Sequence, residues 1–229
     1  MKTFIKKVIR KLPIPEYSIV PIVSMLVINV LTYNVSRLIT TGMTHYDLTT
    51  PLDTALPFVP FFMWIYVFLA YFQWIFGFIM VAKEKKELGN YIFSAEIIAK
   101  LITLFFFLVL PTIIVRPSAE GPGLSNLCCR IVYATDGADN CFPSVHCLES
   151  WILFRATFRM ERTGKKYQWF MFITTILICL STVLVKQHFV VDVFGAIAAV
   201  EIGLLVARKF TFTKIFDAFR RLFRVEDYV

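Results

Sequence analysis

At 229 residues, with 58% of them apolar, 17% charged and a mean hydropathy of +0.69, the chain is far too apolar for a soluble domain, which averages about 45–50% apolar and about 25% charged. Twenty-four phenylalanines deepen the excess. These figures exclude a soluble globular fold, a disordered chain and a fibrous repeat, and leave an integral membrane protein. At roughly 20 residues per span the length allows about six helices with short loops. The expectation is an all-α, six-helix transmembrane bundle forming a single membrane domain over residues 1–229, with no room for a separate soluble module.

Residues 1–16 interleave five cations with Phe4, Ile5, Val8 and Ile9, the pattern of a short amphipathic lead-in lying at the membrane surface and ended by Pro13 and Pro15. The first apolar run, about residues 18–39, has no small-x-small cleavage site and reads as an uncleaved anchor. Further runs follow at about 57–82, 97–115, 144–160, 169–185 and 189–207. The fourth is interrupted by His146, Glu149 and Arg155; ionisable groups within a span usually face the bundle interior. No internal repeat or low-complexity stretch is visible.

The formal charge of +8 would suit nucleic acid if the cations formed one patch. They do not. Of the 24 Lys and Arg, twenty fall in the amino terminus, the loop after the second run (with Lys100 close by), the stretch between the fourth and fifth, and the tail. Only Arg37, Arg116, Arg130 and Lys186 belong to the other side. By the positive-inside rule both termini are cytoplasmic, the excess marks topology or an anchor to anionic lipid, and no nucleic-acid partner is expected.

The sparsely charged side carries the chemistry. All three histidines, His45, His146 and His188, fall there. Arg116-Pro117 closes the third run, Cys141-Phe-Pro-Ser-Val-His146 enters the fourth, and Lys186-Gln-His188-Phe-Val-Val-Asp192 joins the fifth to the sixth. On a helix, His188 and Asp192 share one face, so the Asp can accept one ring N–H and leave the other nitrogen as nucleophile or base. An isolated HxxxD can equally be a buried pair that glues helices. Here Pro143-Ser144 signals a helix amino terminus, which binds phosphate through free N–H groups and the dipole. Arg116 offers bidentate contact with phosphate oxygens, and Lys186 a further charge.

Arg116-Pro117, Pro143-Ser144-Val145-His146, and Ser181 through His188 and Asp192 resemble the three motifs of the type 2 phosphatidic acid phosphatase superfamily, over about residues 100–207. The FPSxH and KQH-aromatic-xxD spellings are most similar to the branch related to inositol phosphorylceramide synthases. Three positions depart from the family pattern: Val109 stands where it has Lys, Val145 where it has Gly, and Thr182 where it has Arg. Lys186 lies one helical turn beyond Thr182 and would face the same way if that segment is helical, a candidate replacement for the missing guanidinium.

The resemblance implies catalytic core helices over about 97–207, His188 as nucleophile on phosphorus, Asp192 as its orienter and His146 as general acid for the leaving oxygen. Arg116, Lys186 and the backbone around Ser144 and Val145 hold the phosphate. The implied partners are a lipid phosphate substrate and the membrane lipid around it, at the extracytoplasmic face of the plasma membrane. The scheme uses neither cofactor nor metal. Water as acceptor gives a phosphatase, a lipid or sugar hydroxyl a phosphotransferase, and the triad serves both.

Three other classes compete: a metal site built from His45, His146, His188 and Asp192, a proton-coupled transporter, and a serine hydrolase using Ser144. Glu149 either faces the site or pairs with a cation. Glu201, roughly 20 Å from His188 along a helix, is left out, and His45 reads as a loop residue. Cys128 or Cys129 could pair with Cys141 in an oxidising compartment.

Overall fold

The computed structural model describes residues 13–223, so the lead-in expected over residues 1–16 lies almost wholly outside the described residues. The architecture is all α. After a 3-10 turn at Glu16–Ser18 the helices are α1 (Ile19–Thr40), α2 (Pro51–Ala55), α3 (Phe62–Ala82, with a π turn at Ile65–Leu69), α4 (Lys86–Val109), α5 (Leu124–Thr135), α6 (Val145–Ala156), α7 (Lys165–Leu184), α8 (Val190–Ala207) and α9 (Thr213–Leu222). Among the described residues, five helices are long and apolar enough to cross a membrane: α1 with its leading turn, α3, α4, α7 and α8.

The sixth expected span is the short one. Helix α6 has 12 residues, about 18 Å of rise against a hydrocarbon core of about 30 Å. It packs against α3, α4, α7 and α8 and is buried along nearly its whole length. Its polar residues, which broke the hydropathy run, are therefore shielded by neighbouring helices. The chain turns immediately after Ala156, where the Thr157 hydroxyl bonds the Phe154 carbonyl at 2.7 Å.

Helix α4 starts eleven residues before the hydropathy run at 97 suggested. Asn90, Ser94 and Glu96 depress the hydropathy there, yet all are buried against other helices. Ser94 accepts the Phe212 N–H at 2.9 Å and Asn90 donates to Thr213 Oγ1 at 3.3 Å, so α9 is tied to this end of α4. At its other end Pro111 stops the helix, and the chain continues extended, bridging Tyr46 to Thr112 and Ile113 to Asp139. Helix α4 is the central post, flanked by α1 and α8. Its approach to α8 is close enough that a Cβ on Gly203 would lie 2.4 Å from the Ala95 carbonyl oxygen; small residues permit such backbone contact between membrane helices.

The two ends of the bundle differ in kind. One gathers Lys86 with Asp217 (2.8 Å), Arg155 with Glu201 (2.6 Å), and Glu84 with the Arg162 amide (3.0 Å). The other gathers the carboxyl ends of α1, α4 and α7 with the amino ends of α6 and α8, and is roofed by α2, α5 and the 136–144 loop. There Arg37 pairs with Asp139 at 2.8 Å and Asn140 donates to Ser36 Oγ at 3.1 Å. Lys100 belongs to neither end. Grouped by sequence with the loop cations, it is instead 1% exposed inside the bundle between Glu96 and Glu149. Sequence grouping misplaces this ammonium because its partners lie on α6, on α1 and one turn back on α4.

Candidate active site

The turn between α7 and α8 places the central histidine. Helix α7 ends at Leu184, and the Gln187 and His188 amides both return to the Thr182 carbonyl at 3.0 and 3.1 Å. Lys186 adopts φ +50° to allow it. Helix α8 then begins at Val190, and Asp192 in its first turn accepts the Phe189 N–H at 2.9 Å, the position where a carboxylate best caps a helix. The same Asp192 Oδ2 lies 3.1 Å from His188 Nδ1, and the Cys141 carbonyl lies 2.9 Å from that nitrogen. Two acceptors on Nδ1 make it the protonated nitrogen and leave Nε2 with its lone pair. Burial works against an imidazolium at His188, but the hydrogen bond and charge of Asp192 outweigh it and hold the ring's pKa above the ordinary histidine value.

His146 sits in the first turn of α6, where Ser144 is the N-cap and accepts the Cys147 N–H at 3.4 Å. The cap leaves the Val145 and His146 amides without intrahelical acceptors. The Ser144 amide donates to the Asp192 carbonyl at 3.2 Å, locking the start of α6 to the start of α8. The His146 ring is stacked on Tyr66 (centroids 4.0 Å, 19° between planes), flanked by Trp74 at 4.9 Å, and lies 6.2 Å from the His188 ring. Its Nδ1 is buried with no hydrogen-bond partner among the described residues.

His188, Arg116 and Lys186 line one cavity of about 370 Å³, together with Asp53 and Thr49; His146, Ser144 and Val145 are not among its walls. Both cations are partly committed to backbone. Arg116 donates to the Asp136 and Gly137 carbonyls at 2.8 and 2.5 Å and to the Gln187 side chain, and stacks on Tyr133 at 5.0 Å; its Nε–H has no partner among the described residues. Lys186 donates to the Asp53 and Leu56 carbonyls at 2.7 and 2.8 Å, closing the carboxyl end of α2. The helical path that would carry Lys186 onto the face of Thr182 ends before it, so its ammonium reaches the cavity from the turn instead.

Other sequence candidates fall elsewhere. Glu149 pairs with Lys100 at 2.5 Å. Glu201 pairs with Arg155 at the opposite end. His45 lies in the 41–50 loop with its ring against the Met43 carbonyl at 3.0 Å and is not among the cavity walls. All five cysteines are free, and Cys141 lends its carbonyl, not its thiol, to the site. Among the described residues no group of three or more His, Cys, Asp or Glu is arranged to hold a metal ion.

Asp53 and Gln187 were missed. Asp53 accepts the Val190 N–H at 2.7 Å and forms a capping box with Thr50. It thus pins α2 to the start of α8. The Thr50-Pro51-Leu52-Asp53 spelling is a readable capping signal, but nothing in it names the distant amide it would hold. Gln187 looks like an ordinary loop residue until Arg116 is seen to bond it.

No curated protein and no solved structure matches the chain. Residues 84–215, however, match the PAP2 superfamily. That stretch is more than half of the chain and runs from the foot of α4 into α9, so it takes in Arg116, His146, Lys186, His188 and Asp192, while Asp53 of α2 lies outside it. The chain therefore belongs to the PAP2 superfamily, and it is a membrane enzyme acting on phosphate esters as a phosphatase or phosphotransferase.

Proposed function

We propose that the protein is a lipid phosphatase, hydrolysing the phosphate ester of a membrane lipid through a phosphohistidine on His188. The observation that carries this reading is the pair of acceptors on His188 Nδ1, which aims an unprotonated Nε2 as nucleophile. Nε2 attacks phosphorus, the bond to the lipid oxygen breaks, and His146 gives that oxygen its proton. Water then attacks the phosphohistidine, passing a proton to His146 and releasing phosphate and neutral His188. An attack distance of about 3 Å and a hydrogen bond of about 2.7 Å are compatible with the 6.2 Å between the rings. Arg116 Nε, the remaining N–H of Lys186 and the Val145 and His146 amides neutralise the phosphoryl oxygens; in phosphoryl transfer such positioning and charge supply most of the rate.

A second reading, transfer to a hydroxyl acceptor, is favoured by the FPSVH and KQHFVVD spellings and by Val145 and Thr182 at positions where the phosphatase pattern has Gly and Arg. Both readings share the phosphoenzyme and part at its second step. The cation-poor position of the site, opposite the Lys- and Arg-rich loops, supports a site on the extracytoplasmic side with both termini inside.

The test incubates purified protein, in EDTA, with a panel of lipid phosphates, with and without lipid and sugar alcohols, scoring free phosphate and new phospholipid separately. Phosphate release independent of alcohol, an acid-labile phosphoenzyme, and a loss of about a thousandfold or more in His188→Ala are expected. Full release by His188→Ala overturns the assignment, and product that appears only with an alcohol selects the transferase.

A further inference from the structure

Inside the bundle, one turn below His146 on α6, Glu149 belongs to a cluster that the proposed chemistry does not use. Lys100 Nζ lies 2.5 Å from Glu149 Oε1, 3.1 Å from Glu96 Oε1 and 2.6 Å from Asn29 Oδ1. The ammonium has three N–H groups for the four carboxylate oxygens and the Asn29 oxygen gathered around it. Two carboxylates share one cation, and Oε2 of Glu149 and both oxygens of Glu96 have no hydrogen-bond donor among the described residues. An unpaired buried carboxylate is costly enough that native structures normally supply a partner. The cluster is short of donors, at Glu149 Oε2 among others.

Glu149, 94% buried, turns toward a cavity of about 370 Å³ between α1 and α3, whose polar floor is Asn29, Lys100 and Glu149 and whose walls include Leu26 and Ile75. Its upper end touches Val145 and Trp74, the neighbours of His146. Leu26 and Ile75 are themselves more than half exposed, so the cavity is reached from the lipid side. A ligand that suits it has a long apolar body and one neutral hydrogen-bond donor.

We propose that this groove holds a lipid alcohol, its hydroxyl donating to Glu149 Oε2. Resting on the lipid-phosphate reading above, this names what the groove receives: the alcohol released when a lipid phosphate is cleaved, or the alcohol that waits to accept a phospho group. Glu149 stands about 4.5 Å along α6 from His146, so the groove is a holding site beside the reaction centre and not the reacting position.

The experiment measures equilibrium binding of 1,2-dioctanoylglycerol and of its O-methyl ether to the purified full-length protein in nanodiscs. The alcohol is expected to bind about tenfold or more tightly than the ether, which keeps the body and lacks the donor. Glu149→Leu, which leaves Lys100 balanced by Glu96, erases that preference. Leu26→Trp, on the lipid-exposed wall, weakens both ligands by filling the groove. Equal affinities in the wild type, a preference that survives Glu149→Leu, or unchanged binding in Leu26→Trp each overturns the proposal. His188→Ala separates the two readings: it is expected to lose the phosphoenzyme and keep alcohol binding. Alcohol binding without any phosphoenzyme in the wild type defeats the catalytic reading alone, and a phosphoenzyme without alcohol binding defeats the groove alone.

Discussion

Asp192 sets both the tautomer and the titration of His188, and these effects are separable. Its carboxylate is buried and held by the Phe189 amide, so it is fixed before it meets the ring. Because the Asp192 pair outweighs burial and raises the His188 pKa, the proposed nucleophile is available only above a pH higher than the ordinary value of about 6.5. The acidic limb of kcat/KM should lie correspondingly high. Linkage runs the opposite way: a raised folded pKa stabilises the protein fully below about pH 6.5 and loses that contribution as pH rises through the folded value. Catalysis and stability thus pull this residue in opposite directions. In Asp192→Asn the acidic limb should move to lower pH while the plateau falls by about a hundredfold or more, since the Cys141 carbonyl alone is left to hold Nδ1–H and the carboxylate charge is gone. A pH–rate profile of the variant checks both. An unmoved limb would show that another group titrates there.

The elements were legible in the sequence where burial was uniform and illegible where it was not. Helices α1, α3, α7 and α8 were readable within a few residues of their ends, because most of their length faces lipid or apolar neighbours. The foot of α4 was not: Asn90, Ser94 and Glu96 look like loop residues to a hydropathy window, yet each is buried against a neighbouring helix. Helix α6 was readable by its chemistry and its length overestimated, since a helix wrapped by four others is shielded from lipid and needs neither the length nor the hydropathy of a lipid-facing span. The short helices α2, α5 and α9 carry too few residues or too much charge to announce themselves. What sequence could not register at all is the closeness of α4 and α8. Gly203→Leu should push these helices apart and cost about 1–3 kcal/mol or more, seen as a lowered unfolding midpoint in detergent. Ile202→Leu, at a position 48% exposed toward lipid, should leave the midpoint where it is. Equal midpoints for the two would mean that the α4–α8 contact yields without penalty.

At the scale of the whole molecule, charge and chemistry are divided between the two ends of one bundle. The motifs were readable because phosphate chemistry needs fixed residue types at fixed spacings, and four elements bring their carriers to the same end. The roles of the two cavity cations were less readable: Arg116 also ties the 133–137 segment to Gln187, and Lys186 also closes α2. A cation bound to carbonyls is oriented before substrate arrives, which makes it a fixed charge beside His188 at no added ordering cost. The charge division also predicts, through the positive-inside rule, which compartment would supply substrate. If the cation-rich loops lie inside, as the positive-inside rule expects, the 117–123 segment faces out and the 157–164 turn faces the cytoplasm. In a cysteine-free background, Ser118→Cys on intact cells should react with a membrane-impermeant maleimide, and Thr163→Cys should react only after permeabilisation. Both variants keep every cation and so do not disturb the signal they report. The reverse labelling pattern would turn the cavity inward, and would assign the enzyme to lipids of the cytoplasmic leaflet.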